Sequence, residues 1–176
     1  MKSFFRSFLV IIALGVLSGA ILIWSGLYNV SADEPHWKAT LWLLNETRER
    51  SVEAHSRGIA APPLQGEKLV DRGFPHFNET CRLCHGGPGL SPLDFTQGLY
   101  PKPPFFPSRE VQQELNEAEL YWIVKHGLKM TAMPSFGVTH SDEDLWAIVA
   151  FMRRLASLSP QKYQDMAQRE RAPSHF

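Results

Sequence analysis

The chain has 176 residues, with 18 Lys and Arg against 18 Asp and Glu, so its formal net charge at pH 7 is zero. That length suits one domain of ordinary size. The balance of charge excludes the broad basic footprint of a nucleic-acid-binding protein. Between residues 66 and 160 there are 9 basic against 11 acidic side chains, a difference too small to identify a partner.

Taken in chain order, the first element is apolar. Residues 8–28, "FLVIIALGVLSGAILIWSGLY", hold no charge over 21 residues. As a helix they span about 30 Å, the thickness of a bilayer hydrocarbon core. Lys2 and Arg6 precede the segment and no Lys or Arg follows until Lys38. The asymmetry predicts a single-pass anchor with its N-terminus in the cytoplasm and the rest of the chain outside. Trp24 and Tyr28 suit the outer interface. The competing expectation is a cleaved signal peptide ending at "VSA", residues 30–32, although secretory h-regions run shorter, at about 7–15 residues. Either way the remainder is exported.

Trp37, Leu41, Leu44 and Arg48 then fall at helical spacing, and Glu46 with Arg50 and Glu53 with Arg57 form i,i+4 pairs. They predict one amphipathic helix over 34–57, closed by Gly58, that packs on its own domain, lies on a membrane surface or docks a partner subunit. Residues 61–66, "APPLQG", read as a linker. The expected organisation is therefore a cytoplasmic start and anchor (1–30), a connecting helix and linker (31–65), a helical domain (66–160) and a polar, peripheral tail (161–176).

Within the domain a helix leads into the cysteines, with Pro75 as an interruption. Residues 86–107 are dense in Gly and Pro and predict a structured loop. Asn116 and Glu119 mark a capping pair for a helix with Leu120, Ile123 and Val124 on its apolar face and Gly127 at its end. A second loop, "TAMPSFGVTH", separates it from a last helix. That helix is capped by Ser141 and Asp144 and striped by Leu145, Ile148, Val149 and Met152. No alternating strand pattern is present, so the fold class expected is all-α.

Both cysteines lie in "ETCRLCHGGPG", residues 79–89. C-x-x-C-H is the attachment signature of c-type haem. Two intervening residues let one helical turn point both thiols at the vinyl groups on one porphyrin edge. The next residue then presents an imidazole to the iron. Cys81 and Cys84 are thus expected to form thioethers and His85 to be the proximal iron ligand, with Gly86 and Gly87 leaving room for the porphyrin. Zinc is a competitor that usually needs four ligands; with no second cysteine pair it would take Cys81, Cys84 and two histidines, and adjacent Cys84 and His85 fit one metal awkwardly. A thioredoxin-like dithiol expects a βαβ setting that is absent. A structural disulfide across three residues would close too small a loop to stabilise much.

The second axial ligand is expected in "KMTAMPSFG". Met133 lies 48 residues after His85 and precedes Pro134, which biases it toward extended backbone. An extended loop can carry a thioether to the iron, whereas a lone Met ordinarily fills core. Met130 is the alternative, and His126 a weaker one whose ordinary place is the C-terminal turn of a helix. Of the remaining histidines, His36, His55, His76, His140 and His175 are expected at the surface, with His55 and His76 the ones to inspect for a second metal.

On these residues the chain resembles the class I monohaem c-type cytochromes, especially short bacterial ones fixed to the inner membrane by an uncleaved N-terminal helix. The resemblance runs from residue 66 to about 158. It implies a class I cytochrome c fold around one covalent haem, whose first and last helices cross with Gly73 and Phe77 meeting aromatics near Trp146 and Phe151. It implies that a proline carbonyl after the haem motif accepts a hydrogen bond from His85, with Pro88 and Pro92 as the candidates. Pro101, Pro103 and Pro104 would build a rigid loop or line the haem edge, and Tyr100, Trp122 and Phe136 would touch the macrocycle or fill core. Pro75 inside the first helix and the long charged helix before the domain depart from the family pattern.

His/Met ligation fills both axial positions, so the expected function is outer-sphere one-electron transfer at the periplasmic face to membrane-bound redox partner proteins, without catalysis by the chain itself. The alternative is a permanent haem c subunit of a larger membrane dehydrogenase, reductase or oxidase. A haem-based sensor or peroxidase would require Met133 to leave the iron.

Overall fold

A computed structural model describes residues 1–171 and divides the chain into two compact units, Met1–Pro35 and one that begins at His36. The expected tail residues 172–176, with His175, lie outside the described residues. Among the described residues the fold is all-α.

The first unit is the helix α1 (Lys2–Trp24), which is long and apolar enough to cross a membrane and buries none of its residues. In the second unit α2 (Lys38–Ser56) starts later than expected, because Pro35 and the extended Trp37 precede it. Its Glu46–Arg50 and Glu53–Arg57 pairs form at 2.8 and 2.9 Å. Val52 and Ser56 are buried, whereas Trp42 and Leu43 are exposed.

The core is built on α3 (Glu67–His76) crossing α7 (Asp142–Arg154). On α3 the buried residues are Val70, Gly73 and Phe74. On α7 Leu145 and every residue from Ala147 to Met152 are buried, so the expected stripe widens to almost the whole helix. Phe77 meets Phe151 at 5.2 Å between ring centroids, as the resemblance implied. Gly73 differs: it faces the backbone of α7, not aromatic rings, and a Cβ there would overlap the Ala147 carbonyl.

Pro75 does not end α3. It withdraws one helical donor and its ring crowds the preceding turn. The chain keeps its helical path and widens into a single π turn, Phe77–Cys81, before α4 (Arg82–His85). The Gly/Pro loop holds a 3₁₀ turn at Asp94–Gly98 and leads to the short α5 (Arg109–Glu114).

Both expected caps form. Asn116 and Glu119 close a capping box on α6 (Glu117–His126), and Ser141 and Asp144 close one on α7. On α6 Leu120, Tyr121 and Val124 are buried, and Tyr121 stacks on Trp146 at 4.1 Å. Arg153 ties α7 to the α5–α6 junction by donating to the carbonyls of Gln112 and Leu115.

The segment after 160 corrects the expectation of a polar, peripheral tail. After a 3₁₀ turn at Leu155–Ser157 it forms α8 (Pro160–Arg171), which folds back onto α3. Tyr163 is 1 % exposed and lies against Phe74, and Ala167 is also buried. Tyr163 and Ala167, with Met166 half-buried against the same core, seat an otherwise polar helix.

Two measurements check this architecture. Gly73→Ala should destabilise the chain by about 3 kcal/mol in urea unfolding, because the backbone it meets cannot move aside as a side chain could. Gly98→Ala, which meets nothing within 4 Å, should be near neutral. The Asp144 carboxylate accepts from the Ser141 hydroxyl at 2.6 Å and from Arg72 Nε at 2.9 Å, which together hold its pKa at about 2 against an ordinary 3.8. A carboxylate that binds its proton more weakly when folded stabilises the fold above its ordinary pKa and loses that contribution as pH falls toward 2. The melting temperature of Asp144→Asn should therefore fall less steeply than wild type below pH 4.

Candidate functional site

Cys81 closes the π turn, and Cys84 and His85 lie in the single turn of α4. Both cysteines are free thiols and half-buried. Burial pushes the Cys81 thiol up to about 12 and that of Cys84 upward as well. At neutral pH both are therefore protonated, and such thiols are poor nucleophiles and poor redox exchangers.

His85 is buried. Its Nδ1 donates to the Pro104 carbonyl at 2.8 Å, which leaves Nε2 as the nitrogen available to a metal. Neither Pro88 nor Pro92 takes this role. Gly86, at φ 71, turns the chain sharply after His85. The loop then returns so that Phe106 N–H donates to the His85 carbonyl at 3.2 Å, two residues after the proline that receives its imidazole. The Phe106 ring packs on the His85 ring at 4.5 Å. Burial lowers the His85 pKa, opposed by the bond to Pro104, so the ring is held in the neutral form that ligates metals.

The glycines after the motif meet protein side chains, not the open space expected for a porphyrin. A Cβ on Gly86 would run into the Phe105 ring, and one on Gly87 would lie 3.1 Å from the Tyr163 ring.

Met133 is half-buried against the same hydrophobic cluster that receives Cys81 and contains Phe106. Its backbone is held at three points. Its N–H donates to Thr131 Oγ1 at 3.1 Å, its carbonyl accepts from Leu128 N–H at 3.1 Å, and that carbonyl lies against Gly127. Gly127 has φ 68, and a Cβ there would be 2.7 Å from the Met133 oxygen, so the loop can close onto the end of α6 only over a glycine. Met130 is 76 % exposed at φ 59, and His126 is exposed beside Trp122. Neither is packed into the core as Met133 is.

Trp122 lies between His55 and His126, Phe136 packs on the core, and the Tyr100 hydroxyl accepts from the His36 N–H at 3.3 Å. His55 is exposed, whereas His36, His76 and His140 are half-buried. His76 and His140 share a hydrogen bond of 3.1 Å. Among the described residues no group of three or more His, Cys, Asp and Glu is placed to hold a metal ion, at His55 and His76 or elsewhere.

The sequence reading missed Pro104 as the partner of His85, Gly127 as the seat of the Met133 loop, and the approach of Tyr163 to the motif. For the first, the run "PKPPFFP" was a visible signal without a means of choosing its member.

An all-α core, a C-x-x-C-H turn and a buried neutral imidazole oriented by a carbonyl define a c-type cytochrome, and residues 68–152 form a monohaem domain of that class. The same residues match the family model described as cytochrome c oxidase, cbb3-type, subunit III. No curated protein sequence matches the chain. The cofactor of such a domain is covalently bound haem c with its iron, and the residues present fit it. Two unpaired thiols sit one turn apart, and the adjacent imidazole has one nitrogen satisfied and the other available. Such a domain transfers electrons through its haem.

Proposed function

We propose that the domain carries one electron at a time through a haem c held by four residues, at the periplasmic face of a membrane. Cys81 and Cys84 would hold the group by thioethers, and His85 Nε2 and the Met133 sulfur would be the ligands of its iron. The observation that carries this reading is the His85 Nδ1–Pro104 bond of 2.8 Å. A buried histidine satisfied at one nitrogen, directly after two free thiols, has a ligand's tautomer and a ligand's fixed orientation.

When bound, haem c supplies a one-electron Fe(III)/Fe(II) couple. The chain's own residues do the rest. Pro104 fixes the imidazole plane and Phe106 packs against it. Thr131, Leu128 and Gly127 fix the loop that presents Met133. With His85 and Met133 both serving the iron, oxygen and peroxide would find no open ligand position, which disfavours the sensor and peroxidase readings. Helix α1, with Lys2 and Arg6 before it and no basic residue after it until Lys38, supports an anchor with the domain on the outer side. Residues 66–160 form the haem domain in this reading, with the anchor and connecting helix before it.

A second reading is favoured by the family match: the chain is a permanent subunit of a larger membrane redox complex, since the matched model bears the name of an oxidase subunit. The exposed Trp42 and Leu43 on α2 give such a complex an apolar surface to cover.

Haem should stay with the chain after denaturation, and Met133→His should keep it while lowering the midpoint potential, because imidazole stabilises ferric iron more than a thioether does. A potential unchanged in a redox titration would remove Met133 from the iron. For the second reading, purification in mild detergent should return the chain with stoichiometric partners; a lone chain in solution would count against it.

A further inference from the structure

We propose that α8 is a positioning element for the Cys81–His85 turn, with Tyr163 as its principal residue. The helix lies outside the segment that matches the cytochrome family, which ends at residue 152. It nevertheless touches the motif on both sides. Upstream, the Tyr163 hydroxyl donates to Asn78 Oδ1 at 3.0 Å, and Asn78 Nδ2 donates to Glu170 Oε2 at 3.1 Å. Tyr163 and Glu170 are seven residues apart, two turns along one face, so α8 satisfies both ends of a single amide. That amide belongs to the π turn, three residues before Cys81, and the Asn78 carbonyl accepts from Arg82 Nε at 3.2 Å inside the motif itself. Downstream, the Tyr163 ring closes over Gly87, and Pro160 lies 2.7 Å from where a Gly89 Cβ would stand.

The arrangement has the form of a bracket. One helix holds Asn78, three residues before the first cysteine, and packs on Gly87 and Gly89 after the histidine. Tyr163 is itself held among Phe74 and Phe151, at 5.4 and 6.3 Å between centroids, and is 1 % exposed. Its position is thus fixed by the α3–α7 core, and it transmits that rigidity to the motif. A π turn needs such support, because its hydrogen bonding is the least regular of the helical forms. A loosened bracket would admit water to the motif, and water beside a bound haem would favour the more highly charged ferric state.

The inference rests on Cys81, Cys84 and His85 being the attachment motif. Haem staining of the denatured wild-type chain tests that assignment by itself. The bracket is tested on the full-length haem-loaded protein in mild detergent, with Tyr163→Phe as the main variant, since it keeps the ring and removes the donor. Hydrogen exchange in peptides covering residues 81–89 should rise about tenfold, the loss expected for one half-buried hydrogen bond. Exchange in α6 should stay unchanged, and the midpoint potential should fall. Glu170→Ala, which removes the other partner of Asn78, should raise exchange in the same peptides. Exchange that rises equally in both segments, or in neither, or a potential that stays at the wild-type value, would overturn the proposal.

Discussion

The contact on which most of this molecule depends is the approach of Gly73 to the Ala147 carbonyl. Two helices can come this close only where one of them carries no side chain. The close approach sets the crossing of α3 and α7 and closes Phe77 over Phe151. Through α3 it also sets the starting point of the cysteine turn. A helix of four residues cannot hold a cofactor turn in place by its own hydrogen bonds. What holds α4 is its covalent continuity with a helix pinned at Gly73, together with the loop and helix that close on it from either side.

Those two closures act differently. The loop around Pro104 and Phe106 works on the imidazole, receiving its Nδ1 and packing its ring. Helix α8 works on the backbone before and after the motif. The Met133 loop is pinned separately, against the end of α6. The supports of His85 and Met133 therefore lie on different elements. A change in one need not disturb the other.

How much of this was legible in the sequence follows from the range of each interaction. The two capping boxes each join residues three positions apart, and both were read correctly; on α6 Leu120 and Val124 are buried as expected, but Tyr121 is buried with them and Ile123 only half-buried. The C-x-x-C-H turn is equally local. The partner of His85 was not legible, because Pro104 arrives by way of a 19-residue return whose path depends on Gly86 and Phe106. The role of α8 was hidden by composition: Tyr163 and Ala167 are its only buried residues, too few to leave a readable stripe. Gly73 was singled out correctly but given the wrong partner, since a glycine's neighbour across a helix crossing is backbone, which carries no sequence signal.

The π turn at Phe77–Cys81 has a consequence for phase. On an unbroken α-helix Val70, Phe74, Phe77, Cys81 and Cys84 recur at intervals of four, three, four and three, the rhythm of one continuous seam. All five side chains would then share one face of the helix. The wider turn advances less angle per residue, by roughly 20° at each of its positions. Over one turn this rotates everything that follows by about a quarter of a revolution. A single amphipathic stripe is thereby divided into two. Its first half, Val70 to Phe77, lies within the protein's own core, and its second half holds two half-buried thiols, of which Cys81 still packs against that core.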